Sequence, residues 1–247
     1  MDEEAHFLGG GDLIITGSNH IEYADVMDGW PAPEFVFEDM FIADAVEGWI
    51  DVVIPADEED LMVVLDLEFE DPRTTRFFEL EEGASIIPSG EMFEQTPNEV
   101  GVSMEQPASF GQLMVMSEWD ITVLSSIRGE EALTLLRQES PNYSGPEEGV
   151  EFVLLEVVIH YFGSGDFPVV VYDGLFSTEV EGNTFRVRIR YPMQSELTWI
   201  NSVVFPGAVI EGWTIVGLPE GIVNPVIQFN PGAVTGSKEE LRYFTIP

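Results

Sequence analysis

One short pattern occurs twice in the chain and limits what it can fold into. The segments Ala45–Pro55 and Val209–Pro219 share Glu, Gly, Trp, Val and Pro at the same five positions, 164 residues apart. Gly suits a turn or bulge, the apolar residues that follow suit a strand, and Pro ends a strand because it has no N–H to donate. The chain therefore contains one β-rich unit at least partly twice.

The Trp of each copy is predicted to be a structural core residue. Trp49 and Trp213 would each plug the space between two sheets, because an indole buries a large apolar area. The alternative is an exposed Trp that stacks on a sugar ring. The presence of Trp in both copies favours the core, since a shared fold needs the same plug twice.

The rest of the pattern is that of strands, with one exception. Short apolar runs are separated by turns about every 8–12 residues, which is typical of a β-sandwich. Val150–Phe162 is apolar enough to lie centrally in a sheet. Arg128–Gln138 is predicted to be a short helix, because Ala132, Leu135 and Leu136 fall on one helical face.

The charge is strongly negative. The 247 residues include 46 acidic and 9 basic side chains, for a formal net charge of −37. Such a surface repels nucleic acid and anionic lipid, so neither is expected as a partner. It also repels itself at low salt, and high salt or divalent cations would relieve that repulsion. The composition is typical of a salt-adapted or secreted protein.

Cysteine is absent, which excludes disulfides and thiolate chemistry. The segment Met1–Ala5 has neither the basic nor the apolar region of a signal peptide, and no apolar run is long enough for a membrane helix. We therefore expect a chain from which a leader or anchor has been removed.

The sequence from about Val100 onward resembles a known family. The resemblance rests on Gly101, Pro107, Gly111, Trp119–Val123, Arg128–Ala132, Gly149–Val157 and Pro206–Trp213. These residues are similar to the immunoglobulin-like β-sandwich domains of unknown function in bacterial secreted lipoproteins and cell-surface proteins. The resemblance covers about residues 100–230 and implies an extracellular or cell-surface location and no catalytic residues. It also places Trp119 and Phe152 on core strands.

Two immunoglobulin-like antiparallel sandwich units are therefore expected, at residues 1–95 and 96–247. Only residues 35–65 of the first unit match the second. The first unit is then truncated, or it is completed by residues 74–110 or by strands of a neighbouring molecule.

Candidate sites are few. The turn Asp57, Glu58, Glu59 and Asp60 is the densest acidic cluster and could hold Ca²⁺, although a solvated turn is the alternative. No other cofactor is expected. His160 is predicted to be a packed strand residue rather than a base. No nucleophile elbow or phosphate loop is present.

Arg186, Arg188 and Arg190 share one face of a predicted strand because they are spaced by two. These three arginines are a third of the nine basic residues in the chain. They either pair with acids across the sheet or form a docking stripe for an acidic surface, such as another copy of this protein.

The sequence thus predicts a non-catalytic structural or adhesive module that binds a protein partner or itself. The alternative is a module that binds carbohydrate or Ca²⁺ through exposed aromatic residues such as Trp30, Trp199 or Tyr143. An enzyme is the third hypothesis, and no group of residues supports it.

Overall fold

The computed structural model describes residues 6–7, 13–23, 39–40, 52–65, 76–80, 96–141, 143–163, 168–180, 183–185, 197–235 and 240–247. The predictions for Trp30, Trp49, Arg186, Arg188 and Arg190 lie outside these residues.

Strands are the main regular structure of the described chain, which confirms the predicted all-β class. They are β1 (His6–Phe7), β2 (Leu13–Thr16), β3 (Asp39–Met40), β4 (Met62–Leu65), β5 (Arg76–Glu79), β6 (Met114–Val115), β7 (Trp119–Arg128), β8 (Val150–Tyr161), β9 (Val169–Val171), β10 (Phe176–Val180), β11 (Asn183–Phe185), β12 (Ser202–Val204), β13 (Val209–Pro219), β14 (Val226–Phe229) and β15 (Arg242–Thr245). Helices are α1 (Gly129–Glu139) and the single turn α2 (Gly232–Thr235), with a 3-10 turn at Asp173–Leu175.

The longest strand, β8, lies inside an antiparallel sheet of order β13-β8-β7-β6. Its pairing with β13 runs from Val209 opposite His160 to Pro219 opposite Val150. On its other edge β8 pairs with β7, with a β-bulge between Val123 and Ser125. The predicted central strand is therefore central, and its β-branched and apolar residues suit burial on both faces.

A second antiparallel sheet, of order β11-β10-β14-β15, shares an apolar core with the first. Trp119 is fully buried in this core, with its ring centroid 4.4 Å from Tyr161 and 6.4 Å from Phe229. Phe176 and Phe244 extend the aromatic cluster from the second sheet. Each large apolar side chain buried here stabilises the fold by about 1.5–3 kcal/mol before entropy is counted.

Helix α1 lies close to its predicted position, one residue further along the chain. Ala132 and Leu136 are fully buried against Phe152, Leu154 and Ile215, on the face of the first sheet that points away from the second sheet. The helix therefore covers part of a sheet surface that would otherwise meet water.

A small sheet of order β2-β4-β5 attaches to the C-terminal part of the chain. Ile14, Met62 and Val64 share an apolar cluster with Val203 and Phe205. The backbone joins as well: Glu22 N–H donates to Val203 O at 2.9 Å, and Phe205 N–H donates to His20 O at 2.9 Å. The predicted division at residue 95 stays a prediction, and this contact crosses it.

Arg242 is a buried cation that holds backbone segments together. It is 6% exposed, and its guanidinium donates to Val115 O at 2.8 Å, Asn98 O at 3.2 Å and Leu241 O at 3.1 Å. Burial lowers the pKa of this guanidinium, and the nearby Glu240 and Glu99 oppose that shift. Arg242 therefore joins β15 to β6 and to the segment beside it.

Replacement of Arg242 is expected to destabilise the protein. Arg242→Met removes the guanidinium donors from the carbonyls of Val115, Asn98 and Leu241, of which Val115 O keeps the Asn98 N–H. We expect a loss of about 2–4 kcal/mol in the free energy of unfolding. Arg242→Lys keeps the charge but not the fork of donors, so it should recover only part of the loss. Urea unfolding measures both, with Arg137→Lys on the exposed side of α1 as the control. An Arg242→Met variant as stable as the control would contradict this role.

Candidate functional site

The two faces of the central sheet have different environments, because side chains alternate along a strand. On β8, Val153, Val157 and Ile159 point into the shared core. We call the opposite side, marked by Phe152, Leu154, Glu156, Val158 and His160, the outer face. Phe152, predicted to be a core residue, is 3% exposed and lies on the outer face under α1.

Helix α1 covers only the half of the outer face near Phe152 and Leu154. Beyond it the side chains other than the buried Asp120 are partly or fully exposed, including Val209 at 49% and the bulge residue Leu124 at 41%. We call this region the open half. Strand register places on it Asp120, Thr122, Ser125, Glu156, Val158, His160, Val209 and Glu211. The exposed Leu124 lies at the bulge between Val123 and Ser125.

Asp120 and His160 are paired directly across β7 and β8. Asp120 is 3% exposed, and its Oδ2 lies 3.4 Å from His160 Nδ1. Burial raises the pKa of Asp120, and the charge of a protonated His160 opposes that rise. The His160 ring also contacts Phe162 edge-on at 5.8 Å. His160 is thus partly exposed and paired with a buried acid.

A second row crosses the sheet at the border of the helix. Ser125 and Trp213 are the cross-strand partners of Glu156, and Trp199 forms a bridge with Trp213. Ser125 Oγ donates to Glu156 Oε2 at 2.6 Å. We call Ser125, Glu156, Trp213 and Trp199 the border row.

The environment of Trp213 differs from the prediction. It is partly buried on the outer face against the cluster under α1, whereas the fully buried Trp119 lies between the two sheets. Gly212 before it has a steric role, because a Cβ there would lie 2.6 Å from Thr198 O. Trp213 N–H donates to that same carbonyl at 2.7 Å. The Gly of the repeated pattern therefore admits a neighbouring segment at the sheet edge.

The predicted acidic turn is built around Glu58. Its Oε1 accepts from Ser18 Oγ and from Asn19 N–H, each at 2.9 Å. Its Oε2 accepts from the Asn19 amide and from Tyr23 OH. Burial would raise the pKa of Glu58, but these hydrogen bonds outweigh it and hold the pKa below its usual value. Burial, with the bond to Glu58, raises the pKa of Tyr23 to about 12.

All four of these hydrogen bonds tie Glu58 to the neighbouring loop at residues 18–23. Asp57 and Glu59 are exposed beside it, and Asp60 is partly exposed with a positive φ of 54°. Within the described ranges, no three His, Asp or Glu side chains gather in a group that could hold a metal ion. The Ca²⁺ site predicted at residues 57–60 therefore stays a prediction.

Comparisons with known proteins give little further information. No family model matches the chain, and no curated protein does. Among solved structures, it is similar to a predicted lipoprotein, ycdA from Bacillus subtilis subsp. subtilis str. 168, with a TM-score of 0.39 and 12% identity. The similarity covers 54% of this chain and 38% of that one, so this chain spans well under two thirds of its length. Similarity at this level carries no argument about function.

In the described part of the chain, no helix has the length and apolar character needed to cross a membrane.

The raised pKa of Asp120 predicts how the stability of the protein changes with pH. Because its pKa is raised in the folded state, the folded protein binds this proton more tightly than the unfolded chain does. Its stabilising contribution is complete below the unfolded pKa of about 4 and is lost as pH rises through the folded pKa. Asp120→Asn, an uncharged mimic, should therefore gain stability relative to the wild type as pH rises. Urea unfolding from acid to neutral pH measures the difference, with the exposed Glu211→Gln as the control. A difference that shrinks with rising pH would contradict the assignment.

The lowered pKa of Glu58 predicts the opposite trend. The stability that the ionised Glu58 contributes is present above its unfolded pKa of about 4. That stability is lost as pH falls through the lower pKa of the folded state. Glu58→Gln should cost about 1 kcal/mol at neutral pH, since the site is partly exposed, and nothing in strong acid. The neighbouring Glu59→Gln, whose side chain is exposed, is the matched control. Equal effects of the two substitutions at neutral pH would show that the Glu58 contacts do not stabilise the turn.

Proposed function

We propose that this chain is a non-catalytic structural or adhesive module that acts outside the cell or at its surface. The observation that supports this most is the open half of the outer face. A rigid sheet, closed on one side by the core and at one end by α1, leaves a broad surface that carries exposed apolar and polar side chains. Such a surface suits contact with another macromolecule.

The proposed location rests on composition and on the resemblance to domains of secreted lipoproteins. A net charge of −37 with 9 basic residues keeps the protein soluble and away from nucleic acid and anionic lipid. The immunoglobulin-like topology, the two sandwich units and the boundary at residue 95 belong to the same proposal.

The partner proposed first is a second copy of the chain. Leu124 and Val209 are 41% and 49% exposed on the open half, and two such surfaces would bury apolar area on contact. Like charge opposes this contact, and salt screens like charge over about 10 Å at 0.1 M and over shorter distances at higher salt. Association should therefore strengthen as salt increases.

Sedimentation equilibrium tests this form of the proposal. The wild type is expected to associate reversibly, and more tightly in molar NaCl than in dilute buffer. A double variant, Leu124→Glu with Val209→Glu, should abolish association because it places charge on both apolar contacts. Val223→Glu is the matched control, since Val223 is 81% exposed but lies beyond the end of β13. A wild type that stays monomeric in molar salt would exclude self-association, and an equal loss in the control would exclude the open half as its site.

A module that binds carbohydrate or Ca²⁺ is the second candidate function. For carbohydrate, the proposed aromatic residues that the structure describes are Trp199 and Tyr143, which are partly exposed at the rim of the cluster under α1. For Ca²⁺, the proposed ligands remain the carboxylates of residues 57–60. Calorimetric titration of Ca²⁺ into the EDTA-treated protein tests that part separately.

A further inference from the structure

One row of side chains on the open half contains a group that changes its charge near neutral pH. Strand register places Asp120, His160 and Val209 side by side on β7, β8 and β13. Val209 is 49% exposed and is one of the two apolar contacts proposed for a second copy. Histidine is the side chain whose charge ordinarily changes between about pH 5 and pH 8. The row therefore brings a titratable group next to the proposed contact.

Asp120 and His160 titrate as one unit because they are close together. Asp120 Oδ2 lies 3.4 Å from His160 Nδ1, and the carboxylate side chain is 5% exposed whereas the imidazole is 35% exposed. Without a titratable proton the pair carries one negative charge, and with one proton it carries none, whichever group holds the proton. The exposed imidazole connects the buried carboxylate to solvent.

Carboxylates face the pair from the elements packed around it. The exposed Glu211 lies on β13, and Glu156 lies four residues before His160 on the same face of β8. Glu118 immediately precedes β7, and its carbonyl accepts from Phe162 N–H at 2.7 Å beyond the end of β8. Strand β6 contributes no charged residue. Within the described open half, His160 is thus the side chain that can become cationic.

This arrangement decides the direction of a pH effect on self-association. Two copies that meet through the open half bring their carboxylates together, and each proton taken up lowers the repulsion between them. Neighbouring strands are about 4.8 Å apart, so the row from β7 to β13 spans about the screening length of 10 Å at 0.1 M salt. The charge of the pair therefore acts across the row and reaches Val209.

We infer that the pair of Asp120 and His160 makes self-association sensitive to pH, because uptake of one proton by the pair strengthens the contact between two open halves. The inference rests on the proposed self-association and adds its regulation. By linkage, association and proton uptake strengthen each other by the same factor. Mildly acid solution then favours the associated form, and neutral solution favours separate chains.

Sedimentation equilibrium at about pH 7.5 and about pH 6 tests the inference, at a fixed ionic strength of about 0.1 M. Histidine titrates in this range, whereas carboxylates of ordinary pKa stay ionised. A symmetric dimer contains two such pairs and takes up at most two protons through them. The dissociation constant of the wild type is expected to be about tenfold lower at the acid end.

Variants of the two partners are expected to change the dissociation constant in opposite directions. His160→Asn cannot become cationic, so it should associate as weakly at pH 6 as the wild type does at pH 7.5. Asp120→Asn removes the negative charge, so at pH 7.5 it should associate about as tightly as the wild type does at pH 6. His6→Asn, on β1 in a separate two-stranded sheet, is the matched control and should keep the wild-type response. Thermal unfolding checks that each variant is folded.

The outcomes separate the pH response from the association itself. A wild type that associates equally at both pH values would overturn this inference and leave self-association standing. The same holds for a His160→Asn variant that keeps the full response, or for two variants that change the dissociation constant in the same direction. A wild type that is monomeric at both pH values and in molar salt would overturn self-association, and this inference with it.

Discussion

The pairing of β8 on both edges is the interaction on which the rest of the structure depends. Eleven residues of β13 and most of β7 pair with this one strand, so the sheet is stiff along its whole length. Because side chains alternate, the same strand supplies the shared core on one side and the outer face on the other. The location of α1 then decides which part of the outer face is covered. The proposed contact surface occupies what α1 leaves open.

Local patterns in the sequence carry enough information for β8 and α1, and for the class of the fold. An unbroken apolar run and a 3.6-residue period report directly on burial. Contacts across the sheet do not follow from local patterns. Asp120 pairs with His160, forty residues away, and Glu156 meets Ser125 only because the bulge between Val123 and Ser125 shifts the register. An acid among 46 gives no sign of which partner it will meet. Asp120 and Glu156 were therefore not predictable, although an acid within the apolar run Trp119–Val123 was a usable signal.

Trp213 shows how a repeated motif can mislead. The pattern Glu-Gly-Trp indicates a strand with a glycine that the fold needs, and Gly212 does meet such a need, because the segment at Thr198 approaches it closely. The burial of the Trp does not follow from the motif, since it depends on the element that lies opposite. Here that element is the rim of a helix cluster, and Trp119 fills the space between the sheets instead. The partner of a charged residue does not follow from composition either. In a chain of net charge −37, Arg242 donates hydrogen bonds to backbone carbonyls.

Amide hydrogen exchange tests the central role of β8 most directly. If the paired strands form the most stable unit, amides of residues 150–161 and 209–219 exchange slowest, together, and with the free energy of global unfolding. Residues 13–16 and 62–65, in the small sheet at the edge of this body, should exchange faster. Exchange of residues 150–161 through local opening, at free energies below that of the small sheet, would contradict the account.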